Sequence, residues 1–367
     1  MWYQTKASEI LGIQYPILQG PFGGKLSSVD LVSTVSNAGG LGGYGAYTLS
    51  PQEIIEIDQQ IKAATNKPYN INLWVSDTDV IDSTVSAGQL KKAQEVFKPY
   101  FEELGIELPG KPAPFNSRFG NQVEAVLHQK PPVFSFVFGV PSADILEQCH
   151  RLGIVAIGAA TTPDEAIALE SAGVDMIIAS GFEAGGHRPS FLAPAETSAT
   201  GTFVLLQLIK EKVRTPVIAA GGIANGKGVA AALALGADAV QIGTAFLATD
   251  ESNASAIHKK MLFSGAAKYT TLSRAFTGRL GRGISSRIAK DLIHKHDSFL
   301  PFPLQKEFIA PLSKAAMEQE KWDMILFWSG QVAPVIRHTK AAELMRSVVG
   351  ETTAYFDRFR SEGVRNL

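Results

Sequence analysis

The stretch Gly-Phe-Glu-Ala-Gly-Gly-His-Arg-Pro-Ser, residues 181–190, sets one imidazole among three glycines, with a carboxylate upstream and a guanidinium beside it. An imidazole, with an ordinary pKa of about 6.5, is suited to proton transfer at neutral pH. His187 is therefore the candidate catalytic residue. Glu183 either orients it or serves as a buried structural partner. Arg188 either pairs with Glu183 or holds an anion. Two further stretches, Ala-Ala-Gly-Gly-Ile-Ala-Asn-Gly (219–226) and Gln-Ile-Gly-Thr-Ala-Phe (241–246), offer bare backbone N–H groups ahead of helix starts. Such groups cradle anions, and the pair predicts a bound phosphate. The single cysteine, Cys149, excludes an internal disulfide and a Cys-rich metal site. It falls in a helical pattern and reads as a packed core thiol. No His/carboxylate cluster has metal-ligand spacing.

These residues need a frame. Eight short apolar runs recur, at 15–20, 41–47, 69–75, 133–139, 154–160, 176–181, 216–222 and 239–246. Between them lie amphipathic patterns, several opening on Ser or Thr-Pro and closing on Gly, as helix caps require. Continuous apolar strands alternating with such helices predict a parallel sheet, and eight units predict a closed (β/α)8 TIM barrel. Catalytic groups of that fold sit where strands end. The glycine-rich His187 stretch follows the sixth run, and the two anion-binding stretches follow the seventh and eighth. Small residues after the first and second runs would let a flat ring lie across the mouth. Asn72, inside the apolar third run, either satisfies core backbone or meets the polar edge of a heterocycle.

The barrel is expected over 1–249, with a helical insertion over about 76–122. A mainly helical region without strand pattern, 250–367, is expected to pack on it as a substrate or cap region. In that region Phe327 and Trp328 either wall the pocket or fill core.

The chain has 367 residues, 45% hydrophobic and 19% charged, with a net charge of -1. No basic field is available for nucleic acid. No apolar stretch reaches membrane-span length, and the N-terminus lacks a signal-peptide pattern. A cytoplasmic location is expected, and room is left for an oligomer.

As a set, the motifs resemble the nitronate monooxygenases, formerly called 2-nitropropane dioxygenases. "PILQGPFGG", "VSNAGGLGGYGA", "NINLW", "FSFVFGVP", "GFEAGGHR", "PVIAAGGIANG", "QIGTAFLAT", "FTGRLGRG" and "WSGQ" occur in the family's order, and the insertion is similar to the longer, class I type. The resemblance implies an FMN-dependent barrel enzyme that oxidises alkyl nitronates, and in some cases nitroalkanes, with O2 to carbonyl compounds and nitrite. By motif position it implies FMN contacts from Gly20, Pro21, Asn72, Ser180, Gly185 and Gly186. It implies a phosphate site of Gly221, Gly222, Gln241, Ile242, Gly243 and Thr244, no metal, and His187 as the base or nitronate partner. Three positions depart from the family pattern: Ser180 stands for Gln, Pro189 for Gly and Phe22 for Met. Two other readings share the barrel: an FMN-dependent enoyl reductase or NADH:quinone reductase, and a flavin-binding protein without turnover.

Overall fold

The computed structural model describes residues 1–75, 85–113 and 117–365. All eight apolar runs are strands of one sheet. They are β1 (Ile17–Gln19), β2 (Gly42–Gly45), β3 (Tyr69–Trp74), β4 (Val133–Val137), β5 (Val155–Ala160), β6 (Met176–Ser180), β8 (Val217–Ala220) and β9 (Ala239–Ile242). The order is β1-β9-β8-β6-β5-β4-β3-β2, every pair parallel. Two isolated parallel bridges, Leu18 to Leu41 and Phe22 to Tyr44, join the β1 and β2 segments and complete the ring. The fold is a TIM barrel.

The crossover helices start where the sequence provides caps. Pro51–Ala64 opens on a Ser50/Glu53 capping box with proline in its first turn, and Pro163–Ser171 opens on the Thr162 side chain. Proline there loses no hydrogen bond, because the first N–H groups of a helix have no internal acceptor.

Two apolar layers result. Leu18, Ile157, Ile178, Ile218 and Ala239 cluster with Ala7 and Leu11 of the N-terminal helix Lys6–Leu11. Alternate residues such as Ile71, Phe134, Ile177 and Val217 belong to the larger core. This alternation assigns Asn70 and Asn72 to the interior face of β3. Both amides donate to the Ser135 hydroxyl of β4, at 2.8 and 2.9 Å. Cys149 is buried on the helix Ala143–Arg151, and burial pushes its thiol up to about 11.

Within the insertion, Ala87–Glu103 is a helix, and Phe119–Gln129 is the crossover helix into β4. Residues 76–84 and 114–116 of that expectation lie outside the described residues.

The region after 249 corrects the sequence reading. It carries two strands, β10 (Thr270–Ser273) and β11 (Gly281–Ile284). They pair antiparallel with each other, and β11 also pairs antiparallel with β7 (Gly186–His187). Each is four residues or fewer, two contain glycine, and their partners are distant in sequence. No periodicity signal survives at that length. Helix in this region is also interrupted, since the helix Leu304–Glu318 ends at Glu318. The chain turns through Glu320 at φ 56 and reaches an extended segment that bridges Gly283 to Trp328.

Candidate active site

His187 is not delivered on bare loop. It pairs with Gly281 and Gly186 with Arg282, and the Arg188 N–H donates to the Leu280 carbonyl at 2.9 Å. A Cβ on Gly281 would lie 2.8 Å from the Trp328 ring and 3.2 Å from the His187 ring. The absence of that carbon is what lets both rings occupy the site.

Aromatic groups surround the imidazole. Ring centroids lie 4.8 Å away for Trp328, 5.2 Å for Trp74, 6.0 Å for Phe302 and 6.4 Å for Phe138. Behind them the Arg279 guanidinium packs on Phe138 at 3.9 Å and Phe302 at 4.6 Å, a cation–π arrangement that holds the wall. This surrounding partly shields the ring, which still lines the cavity at the strand ends. Burial first, and the Lys306 charge second, push the His187 pKa down to about 3. The imidazole is therefore neutral at neutral pH. Its Nε2 is 2.8 Å from the Thr277 hydroxyl.

The two open questions on its neighbours close. Glu183 does not touch His187. Its carboxylate accepts from the Thr202 N–H at 2.8 Å and the Thr202 hydroxyl at 2.9 Å. It thereby caps the helix Thr202–Lys212, whose N-cap residue, Gly201, has no side chain to do so. Arg188 is buried and donates to the carbonyls of Gly181 and Ser198. It forms no direct ion pair with Glu183, although the Glu165 and Glu183 charges both act on it. Beyond Pro189 the Phe191 and Leu192 N–H groups donate to one oxygen of buried Glu165, at 2.6 and 3.1 Å.

One cavity of about 490 Å³ at the strand ends gathers most of the sequence candidates. Gly20, Pro21, Asn72, Ser180, Gly185, Gly186, His187, Gly221, Gly222, Gln241, Gly243 and Thr244 all line it, as does Phe22. Ile242 does not. It is fully buried, because alternation along β9 turns it outward into the larger core. The glycines of β2 do not line it either. A Cβ on Gly43 would meet the Gln19 carbonyl at 2.8 Å, and one on Gly45 the Phe22 carbonyl at 2.4 Å. These glycines allow close backbone approach where the ring closes, not a platform for a flat ligand. Gly185 lines the cavity, but a Cβ there would meet the Gly330 nitrogen at 2.5 Å.

The ends of β8 and β9 form the barest part of the lining. Gly221 and Gly222 take φ of 108 and 73, values that L side chains rarely adopt. Open space lies where a Cβ on Gly243 would project. Among the described residues, the N–H groups of Gly222 and Gly243 have no protein acceptor. The Thr244 hydroxyl accepts from the Gly330 N–H at 2.8 Å, which leaves its own proton to donate.

Sequence reasoning missed Trp74, Phe138, Thr277, Phe302 and Lys306. Trp74 and Phe138 had a signal, since both stand at strand ends. Thr277 lies in the quoted motif FTGRLGRG, which gave it no role, while Phe302 and Lys306 come from the late region with no signal. Trp328 lines the cavity, while Phe327 is core against His258. Among the described residues, no group of three or more His, Cys, Asp and Glu could hold a metal ion. No helix there is long and apolar enough to cross a membrane.

A TIM barrel with a histidine in an aromatic box and an open glycine cradle at its strand ends has the construction of an oxidoreductase. The chain belongs to the nitronate monooxygenase family, whose model matches residues 4–351. A probable nitronate monooxygenase of Staphylococcus aureus strain Newman is 34% identical over 352 residues, 96% of this chain and 98% of the relative. Among solved structures, nitroalkane oxidase from Streptomyces ansochromogenes superposes with a TM-score of 0.86 at 31% identity, over 96% of this chain and 99% of the other. FabK from Thermotoga maritima gives 0.74 at 26% identity, over 98% and 99%.

Proposed function

We propose that the protein is an FMN-dependent enzyme that oxidises alkyl nitronates with O2 to carbonyl compounds and nitrite. One observation carries this reading: a single cavity joins an open glycine cradle at the ends of β8 and β9 to a neutral histidine facing a lysine. The residues fit the cofactor. Gly221, Gly222, Gln241, Gly243 and Thr244 would hold its phosphate, with unpaired N–H groups and a hydroxyl free to donate. Gly20, Pro21, Asn72, Ser180, Gly185 and Gly186 would border its ring. FMN, when bound, accepts electrons from the substrate carbon and passes them to oxygen.

The chain's own residues select the substrate. Trp74, Phe138, Phe302 and Trp328 partly shield the space beside His187 from water. Lys306 lines that space and supplies a positive charge. An anion with apolar substituents matches both features, and a nitronate is one. A histidine whose pKa is pushed down to about 3 is a weak proton acceptor. The pre-ionised nitronate is therefore preferred over the neutral nitroalkane, which must first surrender a proton to His187. Residues 1–249 carry the barrel in this reading, 250–367 supply the substrate side of the cavity, and the enzyme works in the cytoplasm.

The second reading is an FMN-dependent enoyl reductase or NADH:quinone reductase. It rests on the shared barrel, which the enoyl reductase domain of MlnA from Bacillus amyloliquefaciens also has, with a TM-score of 0.62 at 14% identity. Anaerobic mixing separates the two. Propyl-2-nitronate is expected to bleach the flavin absorbance while NADH leaves it unchanged; rapid bleaching by NADH alone would favour the reductase. A His187→Asn variant is expected to lose about 100-fold or more in rate with neutral 2-nitropropane, and much less with the nitronate.

A further inference from the structure

The Thr277 hydroxyl has three partners and only one proton. Its oxygen lies 3.1 Å from the Arg279 carbonyl, 3.3 Å from the Arg279 N–H and 2.8 Å from His187 Nε2. A hydroxyl donates once and accepts twice. The Arg279 carbonyl can only accept, so all three contacts are hydrogen bonds at once only when it takes the hydroxyl proton. The Arg279 N–H can only donate, so it fills one acceptor position. The remaining position accepts from His187, which places the imidazole proton on Nε2. Nδ1 is then a bare lone pair, with no protein partner among the described residues, on a ring that lines the cavity.

We propose that Thr277 is a positioning residue that fixes the tautomer of His187, holding Nε2 protonated and Nδ1 as the proton-accepting atom. The proposal rests on the reading of His187 as the group that meets substrate. With a neutral nitroalkane, the α C–H bond breaks and its electron pair stays on the substrate, delocalised onto the nitro oxygens. The proton forms a bond to Nδ1. The imidazolium keeps donating from Nε2 to Thr277, so no hydrogen bond in the network has to turn over. The opposite tautomer would direct an N–H at the substrate carbon and could not accept. The partner hydrogen bond of a histidine sets which nitrogen is reactive. The third strand supports the arrangement, since Gly281 pairs with His187 only two residues beyond Arg279.

Nitrogen-15 NMR of the full-length protein, labelled at histidine, reads the tautomer directly, with the His187 signal assigned by its loss in His187→Asn. The wild type is expected to show a pyrrole-like Nε2 and a pyridine-like Nδ1. Thr277→Ser should keep that pattern and Thr277→Val should lose it. In turnover of neutral nitroalkane, Thr277→Val should lower kcat about 10-fold with KM little changed, and Thr277→Ser should restore it. A pyridine-like Nε2 in the wild type, or an unchanged tautomer in Thr277→Val, would overturn the proposal. If Thr277→Val does not fold, the wild-type and Thr277→Ser spectra decide alone. Full activity of His187→Asn on nitroalkane would instead defeat the reading of His187, while the spectra still report what Thr277 does.

Discussion

The eight-stranded ring and the three-stranded sheet beside it are built on opposite principles. In the ring, the strands are mostly apolar, helix separates each from the next ring strand, and strands next in sequence are next in space. In the small sheet, two residues from the end of the β6 loop pair with β11, about 95 positions later, which in turn pairs with β10. The ring supplies the open backbone at one side of the cavity. The small sheet supplies the imidazole, and the late region adds Thr277, Phe302, Lys306 and Trp328 to the other side. Binding and chemistry are thus separable in the chain, and changes on one side should leave the other largely intact.

The largest effect is expected at Gly281. Replacing it with valine drives carbon into the Trp328 and His187 rings. Displacing a reacting group by an ångström costs about 100-fold in rate, so kcat/KM for propyl-2-nitronate should fall by about that factor. FMN affinity, read by fluorescence, should change only a few-fold. Equal loss of both would dissolve the distinction between the two regions.

Gly222 is the converse. Alanine there must adopt φ 73, a left-handed backbone that costs roughly 1–2 kcal/mol for a residue with a Cβ. FMN should bind roughly tenfold more weakly, while the rate at saturating flavin stays near that of the wild type. A normal flavin affinity would remove Gly222 from the phosphate site.

The smallest effect is on stability. His187 has its folded pKa depressed, to about 3 from 6.5. Between those values the unfolded chain binds a proton that the folded protein does not. Stability is therefore lost as pH falls from about 6.5 toward 3. Buried His258 is shifted in the same direction. The melting temperature of His187→Asn should fall less steeply than that of the wild type between about pH 6 and 4. An identical slope would mean that His187 titrates normally.

The barrel was legible because its signals are local. Apolar runs, caps and strand-end glycines each lie within one βα unit, and the strand-end rule carried Asn72, Gly222 and Thr244 to the cavity. Ile242 failed because a motif position carries no facing; alternation along β9 turns it away. The β2 glycines were misread because close approach to another backbone and close approach to a ligand demand the same residue. The partners of His187 were illegible for a different reason. Thr277 meets it through a sheet whose strands are two to four residues long, and its motif assigned it no role; Lys306 arrives on the helix Leu304–Glu318, and nothing in its neighbourhood marks it.

The central claim is that the ends of β8 and β9 bind the phosphate of a flavin. Titrating flavin-free protein with FMN and, separately, with riboflavin tests it most directly, through quenching of flavin fluorescence. FMN is expected to saturate one site per chain at micromolar concentrations, with riboflavin, which lacks the phosphate, binding far more weakly. Equal affinity for the two, or no quenching by either, would contradict the account.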